Sequence, residues 1–103
     1  MQITKDDSGA VLKIEGTLDI SVAQRLQEAL LESIQANSNL ILELSGIDGC
    51  DTTALQLLYA VRKMAERFGK NLELRGISPA IATTSTAIGL PIAELTGGGA
   101  DGL

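Results

Sequence analysis

Histidine is absent from the 103 residues, which removes the commonest side-chain base near neutral pH and the commonest zinc ligand together. Cysteine occurs once, at Cys50. No internal disulfide can form, no thiolate cluster can hold a metal, and a lone thiol suits a reducing, cytoplasmic setting. Tryptophan is missing, and Tyr59 and Phe68 are the only aromatics, too few for a platform that stacks single-stranded bases. Positive charge is scarce: 8 Lys and Arg stand against 13 Asp and Glu, a net charge of −5. A phosphate backbone would meet mostly repulsion, with Arg62, Lys63 and Arg67 the only basic grouping. The longest apolar run, residues 57–61, is far short of the roughly 20 residues of a bilayer-spanning helix. No charged segment leads into an apolar one at the start, so no secretory signal is expected. Metal and cofactor chemistry, nucleic-acid binding and membrane insertion are all disfavoured.

What is present is enough for one modest core: 45% of residues are hydrophobic and 20% charged, an ordinary globular balance. One domain is expected over residues 1–95. Residues 96–103, which include Gly97-Gly98-Gly99, read as a flexible tail, because ordering glycine costs entropy that nothing there offsets.

The body alternates strands and helices. Asp6-Asp7-Ser8-Gly9 is a turn between strands at residues 2–5 and 10–15. Ser21-Val22-Ala23-Gln24 has the pattern of a capping box. The helix behind it carries Val22, Leu26, Ala29, Leu30 and Ile34 on one stripe, with Asn37 as a left-handed stop. Residues 40–44 are nearly continuous in apolar character, as in a central strand covered on both faces. A second helix from Thr52 to Phe68 would bury Ala54, Leu57, Leu58, Val61, Met64, Ala65 and Phe68, with Gly69 closing it. A strand at residues 72–75 precedes a third helix capped by Ser78 and begun by Pro79. Helical crossovers imply a mostly parallel sheet with an N-terminal antiparallel hairpin, covered by helices: an α/β fold.

The informative segment is the junction Gly46-Ile47-Asp48-Gly49-Cys50-Asp51-Thr52-Thr53-Ala54-Leu55. It lies between the most buried strand and the strongest helix, beyond a strand's carboxyl end, where ligands of open α/β sheets bind. Asp51 is a good N-cap able to accept from the amides of Thr53 or Ala54, which leaves the Thr52 hydroxyl near the helix's positive end. By themselves these residues describe a capped helix. Cys50 has no histidine to activate it, and Asp48 and Asp51 fill turn and cap roles, so no nucleophile, base and orienting group come together and no catalytic residue is assigned. A nucleotide site is disfavoured, because no G-x-x-x-x-G-K-[ST] is present and the loop is acidic.

Asp51-Thr52-Thr53-Ala54-Leu55, entering a helix after a buried strand, resembles the D-[ST]-[STA]-G-L signature of STAS domains, the anti-sigma-factor antagonist family. Gly16-Thr17-Leu18-Asp19 is similar to that family's G-x-L-D segment, and the element order matches from about residue 1 to residue 95. Ala54 stands where the family has Gly, which would alter how closely a partner approaches, and Thr52 stands where Ser is commoner. The resemblance implies a non-enzymatic protein–protein interaction switch. Its partner would be an ATP-dependent serine/threonine kinase or an anti-sigma-like regulator. Thr52 would be the phosphate acceptor, Asp51 and Asp19 would flank it, and Thr53 would shape the loop or contact the partner. A patch of Asp19, Asp48, Asp51, Thr52, Thr53 and Gln56 is the expected partner surface; Arg62 and Lys63 on the outward helix face could join it, but with Arg67 they read first as a solvated face that complements the C-terminal dipole. The same resemblance admits an accessory subunit of a phospholipid-trafficking ABC transporter, touching its ATPase without a phosphorylation cycle. The run Thr83-Thr84-Ser85-Thr86 on the last helix reads as small polar filler or as a second interaction surface.

Overall fold

A computed structural model of the chain describes residues 1–96; the tail expected at residues 96–103 lies, from Gly97 onward, outside them. Two strands, β1 (Gln2–Lys5) and β2 (Val11–Leu18), lead through a 3-10 turn at Ile20–Val22 into α1 (Ala23–Ala36). Then follow β3 (Asn39–Cys50), α2 (Thr52–Arg67), β4 (Asn71–Arg75), α3 (Pro79–Ala87) and α4 (Ile92–Thr96). The sheet order is β1-β2-β3-β4. β1 pairs antiparallel with β2, and the other pairs are parallel. This is the α/β architecture with an N-terminal hairpin that the alternation of periodicities requires.

Among the described residues the helices cover one face of the sheet, not both. Leu40, Leu42 and Leu44 are buried while Ile41 and Glu43 are only half-buried. Residues paired across strands share a face, so Thr4, Lys13, Glu43 and Arg75 form one row on the open side. The apolar run of β3 reads as doubly covered only because Ile41 sits on that open face.

β3 also runs well past the expected residues 40–44, to Cys50. Its second half pairs with residues 15–18 of β2, with register shifts between Lys13 and Glu15 and between Gly16 and Thr17. The glycines that look like loop markers serve crowding across the ladder. A Cβ on Gly46 would lie 2.8 Å from Cγ of Glu15, and one on Gly49 would lie 3.1 Å from Cγ2 of Thr17.

Several local expectations fail for stated reasons. Ser21 and Gln24 form no capping box: α1 begins at Ala23 with no side-chain cap, and Asp19 caps the preceding 3-10 turn instead. Asn37 is extended (φ −134°), not left-handed, because its amide side chain donates to the carbonyls of Ser33 and Gly9 and ties the helix end to the hairpin turn. Along α2, Leu55 and Arg62 are buried, while Leu57 and Met64 are only half-buried and Phe68 is 68% exposed. The stripe is rotated towards Leu55 and leaves the helix before its last turn. There Gly69 donates to Glu66 and Lys70 to Ala65, the reciprocal bonds of a Schellman stop.

Candidate functional site

Asp51 is the hub of the junction. Its backbone is extended, its amide donates to the Leu18 carbonyl at 2.9 Å, and its Oδ1 accepts from the Ala54 amide at 2.9 Å. Of the two capping partners expected, Ala54 is the one used. The second oxygen, Oδ2, accepts from the amide of Ile20 at 3.0 Å. One carboxylate thus caps α2 and anchors the turn between β2 and α1.

The other two acidic residues work on the same segment. Asp19 Oδ1 accepts from the amide of Ser21 at 3.0 Å and from its hydroxyl at 2.5 Å. That hydroxyl, with smaller help from the amides of Ser21 and Val22, holds the Asp19 carboxyl below its ordinary 3.8. Asp48 Oδ1 accepts from Thr17 Oγ1 at 2.7 Å. All three carboxylates therefore hold residues 17–21 in place, and each is an architectural group as much as a surface charge.

Thr52 and Thr53 open α2, both exposed, and neither hydroxyl makes a hydrogen bond among the described residues. Gln56 is exposed one turn on, on the same face as Thr52 by the i to i+4 spacing. The structure thus gathers Asp19, Asp51 and Thr52 at one end of α2, with Asp48 reaching the same segment through Thr17. Arg62 does not belong to this surface: it is buried and pairs with Glu66 at 2.9 Å. Lys63 stays exposed, 5.6 Å above the Tyr59 ring.

Ala54 is fully buried, so its methyl faces the core. The extra carbon relative to a glycine lies inside the domain, not on its surface. Burial, and secondarily the charge of Asp51, push the Cys50 thiol up to about 11, which makes it inert near neutral pH. Among the described residues no group of three or more carboxylates, histidines or cysteines converges to hold a metal ion.

Three contributors escape a reading by motif. Ile20 is 72% exposed beside the capped turn; an apolar residue amid Asp19 and Ser21 was the available signal. Thr17 is seen only through its bond to Asp48. From α3, Thr84 Oγ1 donates to the Cys50 carbonyl at 2.5 Å, while Ser85 is buried and donates to the Leu90 carbonyl. Half of the hydroxyl run is thus spoken for inside the molecule; Thr83 and Thr86 are exposed.

The family model described as Mlab, STAS domain, matches residues 1–95. The chain belongs to the STAS family. A Ser-to-Glu variant of RsbS from Moorella thermoacetica is 35% identical with a TM-score of 0.66, over 88% of this chain and 79% of that one. An anti-sigma factor antagonist from Mycobacterium paratuberculosis has a TM-score of 0.68 at 18% identity, over 85% of this chain and 75% of that one; at that identity the likeness is one of fold. No curated protein matches the chain. The sheet order and the alternation of strands and helices are those of the STAS fold.

Proposed function

We propose that this STAS domain is a protein–protein interaction switch of the anti-sigma-factor antagonist type, controlled by phosphorylation of Thr52. Its partner is an ATP-dependent serine/threonine kinase or anti-sigma-like regulator that docks on Asp19, Asp48, Asp51, Thr53 and Gln56. The observation that carries this reading is the state of the Thr52 hydroxyl: exposed and unbonded at the first residue of α2, directly after a cap whose two oxygens are both committed. A kinase can take that hydroxyl without dismantling the helix end.

The energetics favour a change in binding over a change in fold. A phosphothreonine adds about −1.5 to −2 charges and three strong acceptors. The dipole of α2 favours this by about 0.3–1 kcal/mol, and Asp51, Asp48 and Asp19 oppose it by a comparable amount at exposed separations. Within the domain these nearly cancel. In a docked complex, a desolvated phosphate beside carboxylates costs several kcal/mol unless the partner pairs it. Binding is lost while structure is kept. The domain performs no chemistry of its own in this reading and works in the cytoplasm. No described helix is long and apolar enough to cross a membrane.

The test is a pull-down from source cells with wild-type, Thr52→Ala and Thr52→Glu baits. The switch requires a kinase-fold or sensor protein held by the first two and absent from the third, with phosphate on Thr52 found by mass spectrometry. A second reading is the accessory subunit of a phospholipid-trafficking ABC transporter, and the matched family's description, which names Mlab, favours keeping it. A transporter ATPase retained by all three baits, or lost only with Thr52→Ala, selects that role and rejects the switch.

A further inference from the structure

Two large apolar side chains stand in water among the described residues, Ile20 at 72% and Phe68 at 68% exposure. They occupy opposite ends of α2. The Ile20 amide is held by Asp51, whose other oxygen caps the helix. Phe68 closes the helix, its amide bonded to the carbonyls of Met64 and Ala65. The intervening 16 residues set the two ends about 24 Å apart at about 1.5 Å per residue.

The two ends carry opposite charge. Ile20 lies on the segment held by Asp19, Asp48 and Asp51. Phe68 follows Arg67 and precedes Lys70 by two residues, with Lys63 further back along the helix. Lys63 is partly engaged by Glu66 at 3.7 Å, whereas Arg67 and Lys70 make no ion pair among the described residues. The negative end of the helix dipole explains a cation in the last turn. It does not explain an aromatic ring in water beside it.

We propose that the acidic Ile20 end of one copy docks on the basic Phe68 end of a second copy, a head-to-tail contact between identical chains. Each end offers one apolar anchor beside an excess of charge of one sign: three carboxylates outweigh the N-terminal ammonium and Arg25 at the first, and Lys63, Arg67 and Lys70 outweigh Glu66 at the second. The excesses are complementary, so the occupant each end fits best is the other end. Such a contact is heterologous and propagates into a ring or an open chain. One anchor per side makes a small interface, of the weak and reversible class. It needs no phosphate on Thr52, though a phosphate there would add to the charge of the acidic end; because Thr52 lies at the Ile20 end, a partner docked there would compete with it.

The test is sedimentation velocity on the full chain from micromolar to millimolar concentration. The wild type is expected to sediment faster as concentration rises, and less so at high salt, which screens the charges. Ile20→Asp and Phe68→Asp should each stay monomeric. Mixed in equal amounts, they should form dimers and nothing larger, because one variant keeps an intact basic end and the other an intact acidic end. Both side chains are exposed, and thermal melts matching the wild type would show that the variants fold. A wild type that stays monomeric throughout overturns the proposal. So does a mixture that stays monomeric, or self-association that only one of the two substitutions abolishes, since that describes a symmetric contact.

Discussion

The amide of Ile20 donates to Asp51 Oδ2 at 3.0 Å, across 31 positions of sequence, while the other oxygen of the same carboxylate caps α2 through Ala54. One side chain therefore sets the position of the Thr52 end relative to the β2–α1 turn. Anything that alters Asp51 moves both.

Replacing Asp51 by Ala should lower stability by about 1–2 kcal/mol through loss of the cap alone, with the Ile20 bond adding to the loss. In a domain of this size each kcal/mol shifts the melting temperature by about 4–8 °C. Asp51→Asn keeps one acceptor and should lose less, but it turns an amide donor towards one of the two backbone amides. Hydrogen exchange at Ile20 should accelerate in both variants. A normal Ile20 exchange rate in Asp51→Ala would show that the second bond does not form in solution.

Ala54→Gly, which restores the residue of the family signature, should destabilise the chain by about 1 kcal/mol, since a glycine costs backbone entropy in a helix and a buried methyl is lost. Urea melts measure the loss. Because the Ala54 methyl is fully buried, partner affinity should not improve. A gain in affinity on this substitution would place the methyl at the interface.

Asp19 titrates below 3.8, chiefly because of the Ser21 hydroxyl. A carboxyl whose folded value is depressed stabilises the fold above its unfolded value. That contribution is complete above about pH 4 and is lost as pH falls through the folded value. Ser21→Ala should move the Asp19 midpoint upward, as read from its carboxyl carbon by NMR. An unmoved midpoint would assign the depression to the backbone amides.

Cys50 titrates in the opposite sense. Its thiol is raised from 9.0 to about 11 by burial and by Asp51, so the unfolded chain ionises first. The Cys50 contribution to stability should be constant well below pH 9 and decline between about pH 9 and 11. At pH 8 a thiol reagent should react slowly with the native chain and rapidly once it is unfolded in urea. Equal rates in both states would contradict the burial.

The sequence alone determined the order of the four strands and the first three helices, the antiparallel start, and Asp51 as the cap before Thr52, but not the short α4. Each of these rests on local physics: periodicity of apolar residues, turn chemistry at Asp6-Asp7-Ser8-Gly9, and a carboxylate one residue ahead of a helix. Only the tertiary structure decided that β3 continues through Gly46 and Gly49, that Asp19 and not Ser21 caps the turn before α1, and that Arg62 goes in while Phe68 stays out. The reason is the same in each case. Glu15 crowds Gly46, Thr17 pairs with Asp48, and Ile20 bonds Asp51 across about thirty residues of chain, and no spacing within either segment encodes the meeting. A periodic stripe states that one face of α2 is apolar. Which residues at its margins are covered depends on where the sheet and the neighbouring helices end, and that is a property of the packed molecule.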